Sequence, residues 1–192
     1  MFIIGIVGLD RCGKDTFAKM LVKEFKKHKK EVAIRSFADK LKDVTADIMK
    51  VDRHLLEKMK NDNILVSNGI EIMTTRDYII RVADSIRKNL GEDVFIDALK
   101  KELNKIENID IVILPDTRFV LEAEMIKQMN GLVVRLHSDT SNCGKNGKRY
   151  EVDKIKPDVN VKNKKGQLTV MEDEADRLVK YVIEKKLKNI YD

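Results

Sequence analysis

The chain is poor in cysteine and contains no long apolar run. Cys12 and Cys143 are the only cysteines among 192 residues, and neither has the neighbours of a zinc site, which excludes a disulfide framework and a structural zinc domain. No apolar stretch approaches the roughly 20 residues that a membrane helix needs, and the N-terminus lacks the basic and then apolar layout of a signal peptide. The sequence therefore predicts a cytoplasmic protein of one domain that has no membrane partner.

Aromatic residues are also scarce, at 5% with no tryptophan, whereas charged residues make up 36% of the chain. Few aromatic rings are available to stack on bases, which argues against a single-stranded nucleic acid partner. The net charge is +6, but the lysines are spread along the chain, and the densest run, at residues 26–30, falls at the end of the first predicted helix. Cations there complement the helix dipole and face solvent, so we attribute most of the basic excess to the surface and the rest to anion binding.

The most informative stretch is FIIGIVGLDRCGKDT, at residues 2–16. Its apolar start predicts a buried strand, and the apolar spacing that follows predicts a helix. The connection has the form of a phosphate loop: glycines permit a tight turn, backbone N–H groups point inward, and a lysine reaches the outer phosphates. The residues predicted to bind phosphates are Gly8, Leu9, Asp10, Arg11, Cys12, Gly13, Lys14, Asp15 and Thr16.

One position departs from the usual form of this motif. Asp15 stands where a serine or threonine hydroxyl normally contacts Mg²⁺, and Thr16 follows it. The candidate metal ligands are therefore Asp15, Thr16 and Asp116, and phosphate binding is better defined than metal binding.

Alternating strands and helices predict an α/β fold with an open, parallel, five-stranded sheet and helices on both faces. After the first strand, the remaining strands are predicted at residues 32–37, 109–114, 132–137 and 159–161. We expect a sheet core at residues 1–37, 107–137 and 157–192, a small helical lobe at about 38–106, and a lid at about 138–156. Residues 64–73 fit either a loop or a hairpin.

Helix ends are predicted from capping residues within the lobe. Thr74 with Asp77 three residues later is a variant of the capping box and indicates a helix start. Gly91 indicates the end of that helix, and Asp93 is expected to cap the next one.

Ligands of such a sheet bind beyond the carboxyl ends of the strands, which gathers the candidate residues at one edge. Asp116 follows a buried strand, where a carboxylate can hold Mg²⁺, although an aspartate that caps the next helix is the alternative. Arg118 follows, and its planar guanidinium suits the phosphate of a second substrate.

The polar segment after residue 137 is too long for a plain connection and predicts a lid. Its cations Lys145, Lys148 and Arg149 could close over charge that develops during phosphoryl transfer, and a solvated loop is the alternative.

Four successive blocks of the sequence resemble the bacteriophage-type deoxynucleoside monophosphate kinases, a branch of the P-loop nucleoside monophosphate kinases. The blocks are GLDRCGKDT, SFADKLKD, TTRDYIIRVADSIRKNLGEDVFIDAL and VILPDTRFVLEAEMIKQMNGLVVRL, which together cover most of the chain. The resemblance implies a P-loop NTPase fold in which the lobe at about 38–106 is the substrate-binding lobe, and Mg²⁺-dependent phosphoryl transfer from ATP to a deoxynucleoside monophosphate.

The same resemblance implies roles for individual residues. Lys14 would hold the donor phosphates, with Asp116, Arg118 and Arg149 beside it in the reaction. The residues implied to surround the acceptor nucleotide are Ser36, Phe37, Asp39, Lys42, Arg76, Arg87 and Arg118. The sequence departs from the family at Lys40, where proline is usual, and at Ala83 and Asp84, where Gly-Thr is expected, so the helix that carries Arg76 and Arg87 is the weakest match.

Two other functions remain open from the sequence, and nucleic-acid binding, which rests only on the basic pI, is a third. One is a P-loop kinase for another phosphorylated small molecule, of the phosphomevalonate or dephospho-coenzyme A type. The other is a nucleotide-binding switch, although no NKxD-like stretch for guanine is present. The accepted bases, the choice between ribose and deoxyribose, and the oligomeric state, including a homodimer, are left undecided.

Overall fold

The computed structural model describes residues 1–138, 150–163 and 168–191. It divides into two compact units, which are described separately. The first, called the core unit, comprises Met1–Ser36 and Ile106–Asp192, and the second, called the insert unit, comprises Phe37–Lys105.

The described residues form two sheets and a series of α-helices. The strands in chain order are β1 (Phe2–Val7), β2 (Val32–Ile34), β3 (Leu65–Ser67), β4 (Ile72–Thr74), β5 (Ile111–Thr117), β6 (Leu132–Ser138) and β7 (Val159–Asn163). The helices are α1 (Lys14–Lys27), α2 (Asp39–Met49), α3 (Arg53–Asn61), α4 (Thr75–Leu90), α5 (Val94–Leu103), α6 (Val120–Gln128) and α7 (Leu168–Tyr191).

The core unit contains a parallel five-stranded sheet in the order β2, β5, β1, β6, β7. β1 lies at its centre, which explains why all six of its residues are buried. Ile4 and Ile6 pack in a cluster with residues of α1 and α7. Gly5, between them, faces the opposite side, where an added Cβ would lie 2.3 Å from Ile126 Cδ1 of α6. Helices therefore cover both faces of the sheet, and the predicted α/β fold is confirmed.

Several strand boundaries differ from the predictions, and two of these differences concern candidate site residues. β2 ends at Ile34 rather than at Phe37, so that Ser36 lies in the turn between β2 and α2. β5 runs from Ile111 to Thr117 and therefore contains Asp116, which was predicted to follow the strand. Gly5 pairs with Leu114 and Val7 with Thr117, so β5 carries one extra residue here, at Pro115 and Asp116. Such a bulge re-aims the side chains next to it.

The insert unit is mainly helical and has its own apolar core, which includes Leu41, Leu56, Ile79 and Phe95. Residues 65–74 form an antiparallel hairpin of β3 and β4, which decides between the two predictions for that stretch. Thr74 caps α4 as predicted, because its hydroxyl accepts a hydrogen bond from the Asp77 N–H.

The prediction for the next cap was wrong. Asp93 occupies the N-cap position of α5, but its side chain makes no capping hydrogen bond. Its backbone is in the right-handed helical region, whereas a capping N-cap residue is usually extended, as Thr74 is. None of the helices described has the length and apolar character to cross a bilayer.

Candidate functional site

The phosphate loop connects β1 to α1 in the core unit, as the sequence predicts. Arg11 and Gly13 both have positive φ, at 64° and 96°, which turns the chain sharply before the helix begins. Gly8 has no space for a side chain, since an added Cβ would lie 2.6 Å from Cys12 Sγ and 2.7 Å from the Leu136 carbonyl oxygen. The first N–H groups of α1 have no partner within the helix, so the loop and the helix start present donors suited to an anion.

Lys14 is folded over the loop that precedes it. Its Nζ donates hydrogen bonds of 2.8 Å to the carbonyl oxygens of Gly8 and Leu9. Burial lowers the pKa of Lys14, because removal from water penalises the ammonium form. A phosphate anion in the loop would favour that charged form.

The loop is stabilised by the buried side chain of Cys12 and by a hydrogen bond from Asn163 in the edge strand β7. Cys12 is fully buried, and burial raises the pKa of its thiol, which suits a packing role rather than a reactive one. Asn163, the last residue of β7, donates from Nδ2 to the Cys12 carbonyl oxygen at 2.9 Å. Sequence reasoning did not identify Asn163, because nothing in the local pattern distinguishes it from an ordinary strand-end residue.

Ser36 and Asp116 meet at the carboxyl edge of the sheet, as expected for neighbouring parallel strands. The Ser36 hydroxyl donates a hydrogen bond to the Asp116 carboxylate. Asp116 does not provide the N-cap of α6, which is Phe119, so the capping interpretation of this aspartate was wrong. The carboxylate instead lies at the bulge of β5, next to the strand end.

Arg118 brings a second cation to the phosphate loop. Its Nη2 lies 3.7 Å from Oδ1 of Asp10 in the loop, and its guanidinium carbon lies 4.4 Å from the centre of the Tyr150 ring. A small cavity beside the guanidinium is lined by Gly8, Leu9, Asp10, Arg118, Tyr150 and Val152. Burial alone would lower the pKa of Arg118, but Tyr150, Asp10 and Asp116 raise it. The guanidinium is therefore a fixed positive charge at the loop.

Three residues near Arg118 were not predicted as functional. Tyr150 supplies the ring beneath the guanidinium, and Glu122 and Glu151 hydrogen-bond the backbone around Arg118. Glu122 could have been noticed, because it is a charged residue within the otherwise apolar stripe of α6. Tyr150 and Glu151 have no local signal, since the fold alone brings them to the end of β5.

Ser36 and Arg118 belong to the core unit, and the other candidates for acceptor binding lie in the insert unit. Asp39 pairs with Arg53 at 2.9 Å, and Lys42 pairs with Glu57 at 2.6 Å. The Arg87 guanidinium lies 5.1 Å from the centre of the Phe95 ring. Phe37 is buried and Arg76 is exposed in the first turn of α4. Their predicted contacts with an acceptor nucleotide stay predictions.

Lys145, Lys148 and Arg149, the predicted lid cations, lie outside the described residues. Asp15 and Thr16 are exposed in the first turn of α1. Within the described ranges, no group of three or more histidine, cysteine, aspartate or glutamate side chains could hold a metal ion by itself.

Comparison with known proteins gives distant likenesses to solved structures. No family model matches the chain, and no curated protein matches it. Among solved structures, a mutant of the APS kinase CysC from Mycobacterium tuberculosis is 10% identical, with 95% of this chain and 94% of that chain covered and a TM-score of 0.39. Shikimate kinase from Aquifex aeolicus vf5 is 14% identical, with 98% of each chain covered and a TM-score of 0.41. At these values neither likeness says what this chain binds.

Proposed function

We propose that this protein transfers a phosphoryl group from ATP to a nucleoside or deoxynucleoside 5'-monophosphate and so forms the diphosphate. The observation that carries the proposal is the position of Arg118, whose guanidinium lies 3.7 Å from the loop residue Asp10. The loop and Lys14 suit the phosphates of a donor, and a second cation beside them suits the phosphate of an acceptor. The choice of a nucleoside monophosphate rests on the resemblance of the four sequence blocks.

In this proposal the protein contributes positioning and charge rather than a covalent intermediate. The loop amides and the Lys14 ammonium hold the donor phosphates, and Arg118 holds the acceptor phosphate so that its oxygen can attack the donor γ-phosphorus in line. Charge spreads over the oxygens of the transferred group in the transition state, and fixed cations at the loop stabilise it there.

The donor atoms at the strand end fit a magnesium ion that arrives with a nucleotide. Mg²⁺ in such sites takes one or two protein oxygens in addition to phosphates and water, so a cluster of three carboxylates is not needed. Asp116 and Ser36 supply a carboxylate and a hydroxyl that already contact each other. Asp15 and Thr16 supply oxygens at the start of α1. When bound, the ion would neutralise charge on the phosphates.

The direct test is turnover with ATP against all ribonucleoside and deoxynucleoside monophosphates, with shikimate-like alcohols, phosphomevalonate and dephospho-coenzyme A as further acceptors. We expect diphosphate formation from at least one monophosphate. Phosphorylation of another acceptor alone would show a different small-molecule kinase. Tight nucleotide binding without any turnover would favour a switch.

Lys14→Ala is expected to lower kcat by about 10²-fold or more, because removal of a charged group that stabilises the transition state costs that much. The substitution should leave the fold intact, since the hydrogen bonds that Nζ donates, to the Gly8 and Leu9 carbonyl oxygens and to Cys12 Sγ, stay within the loop that precedes the helix. Steady-state kinetics together with circular dichroism check this expectation. Turnover close to that of the wild type in Lys14→Ala would refute the assignment.

A further inference from the structure

Arg118 projects from a backbone segment that two carboxylates hold in place. Oε2 of Glu122 accepts hydrogen bonds from the N–H groups of Arg118 and Phe119, at 2.7 and 3.1 Å. Glu151 holds the other side: its N–H donates to the Arg118 carbonyl oxygen at 3.0 Å, and its Oε2 accepts from the Val120 N–H at 3.1 Å. Both backbone polar groups of Arg118 are thus bonded to a glutamate.

Glu122 makes the bond of one half of a capping box, to the N–H of the N-cap residue, and a second bond that a capping box lacks. Elsewhere in this chain, α3 and α4 are capped by the side chains of their own N-cap residues, Asp52 and Thr74. The N-cap residue of α6 is Phe119, which has no side-chain acceptor, and the carboxylate comes from the third helical residue. Glu122 also reaches one residue beyond the cap, to the N–H of Arg118, and that bond is the shorter of its two.

The burial of Glu122 supports a role beyond capping. Only 4% of the residue is exposed, and a buried carboxylate costs free energy unless its hydrogen bonds repay it. The exposed Asp52 and the half-buried Thr74 are enough to cap α3 and α4. The buried charge is therefore placed where it fixes the segment that bears the phosphate-binding arginine.

We propose that Glu122 is a positioning residue for Arg118: it holds the backbone of residues 118 and 119 so that the guanidinium stays over the Tyr150 ring and beside Asp10. The part of this inference that concerns binding of the acceptor rests on the proposed function, and the part that concerns the position of Arg118 does not. Charge-assisted hydrogen bonds are about twice as strong as neutral ones, so Glu122→Gln should loosen the segment while it preserves the shape of the side chain. Small misplacements of a positioning group can cost up to about 10²-fold in rate.

The experiment compares Glu122→Gln with Glu24→Gln. Glu24 is the matched control, because it is also buried, at 8% exposure, and it pairs with Lys27 near the end of α1. The first readout is the NMR signal of the Arg118 side-chain Nε–H, assigned with Arg118→Lys. The Tyr150 ring, whose centre lies 4.4 Å from the guanidinium carbon, shifts this signal. The second readout is the set of KM and kcat values for ATP and for the accepted monophosphate.

We expect Glu122→Gln to move the Arg118 signal and to raise KM for the monophosphate about tenfold, while KM for ATP changes less than twofold. Glu24→Gln should change neither readout. An unmoved Arg118 signal, or an equal rise in both KM values, would overturn the proposal, as would the same effects in Glu24→Gln.

Two further arms keep the outcome decisive. If Glu122→Gln does not fold, Glu151→Gln replaces it, since the Glu151 side chain is more exposed and bonds the same segment, and it must move the Arg118 signal in the same direction. If no monophosphate is phosphorylated by the wild type, the proposed function fails, but the NMR comparison still decides whether Glu122 positions Arg118.

Discussion

The guanidinium of Arg118 interacts with two carboxylates, those of Asp10 and Asp116, and with the Tyr150 ring. The negative charge of the two aspartates holds the cation at the loop before any substrate arrives. Its side chain is 27% exposed, so an incoming phosphate can still reach it. Arg118 is thus arranged in advance for an anion, which reduces the entropy lost on binding.

Arg118→Ala is expected to raise KM for the monophosphate by about tenfold or more and to leave KM for ATP nearly unchanged, because charged hydrogen bonds to phosphate contribute about 1.5–3 kcal/mol. Steady-state kinetics with each substrate varied in turn check the prediction. Arg177→Ala is the matched control, since Arg177 is an exposed arginine of α7 paired with Glu174. Equal effects of Arg118→Ala on both substrates would contradict the acceptor role.

The sequence predicted the positions of single residues in the phosphate loop better than the contacts that these residues make with distant parts of the chain. Lys14 and Gly8 lie where the motif places them, because one short segment determines the loop. The contact between Ser36 and Asp116 followed from the rule on strand ends. Tyr150 and Asn163 could not be predicted, because their contacts with Arg118 and Cys12 depend on residues far apart in the chain.

At the scale of elements, the sequence predicted which strands form better than it predicted where each strand begins and ends. The five strands of the sheet were found from apolar runs, yet β5 continues through Pro115 and Asp116 by means of a bulge that no local pattern shows. The capping pair Thr74 and Asp77 was recognised because it is local. The sequence did not distinguish a loop from the hairpin of β3 and β4. Exposed residues of this stretch, such as Ile70 and Ile72, are apolar, so the pattern does not separate a buried face from an exposed one.

The insert unit offers a prediction for a pair of helices, α2 and α3. Burial alone would raise the pKa of Glu57, but Lys42 and then Lys60 lower it to about 2. A carboxylate whose pKa is lowered by folding stabilises the fold above its unfolded pKa, and this contribution is lost as the pH falls toward its folded pKa. The wild type should therefore be more stable than Glu57→Gln above about pH 4.5, with the difference shrinking as the pH falls toward about 2.

Thermal unfolding of both proteins between these pH values measures the difference. Glu57 is 30% exposed on its side chain, so added salt should reduce the difference as well. Glu172→Gln on α7 is the control, because Glu172 is exposed. A gap between wild type and Glu57→Gln that does not change with pH would show that the ion pairs with Lys42 and Lys60 do not stabilise the insert unit.

At the scale of the whole molecule, the two compact units differ in what they contain. The core unit holds the phosphate loop, Ser36, Asp116 and Arg118, whereas the insert unit holds Asp39, Lys42, Arg76 and Arg87. A ligand that binds only the folded protein stabilises it by mass action. If the donor nucleotide binds through the loop as proposed, its effect on unfolding should depend on Lys14.

Mg-ATP at about 100 times its Kd is expected to add about 2.7 kcal/mol of stability, which corresponds to a rise in Tm of about 5–10 °C for a chain of this size. Lys14→Ala should abolish most of that rise, because Nζ is the cation that is folded over the loop. Lys19→Ala, which removes an exposed lysine of the same helix, should keep it. Thermal unfolding with and without Mg-ATP measures the shift in all three proteins. If Lys14→Ala retained the full rise, the nucleotide would bind elsewhere, and neither the loop nor Arg118 could then be assigned to phosphoryl transfer.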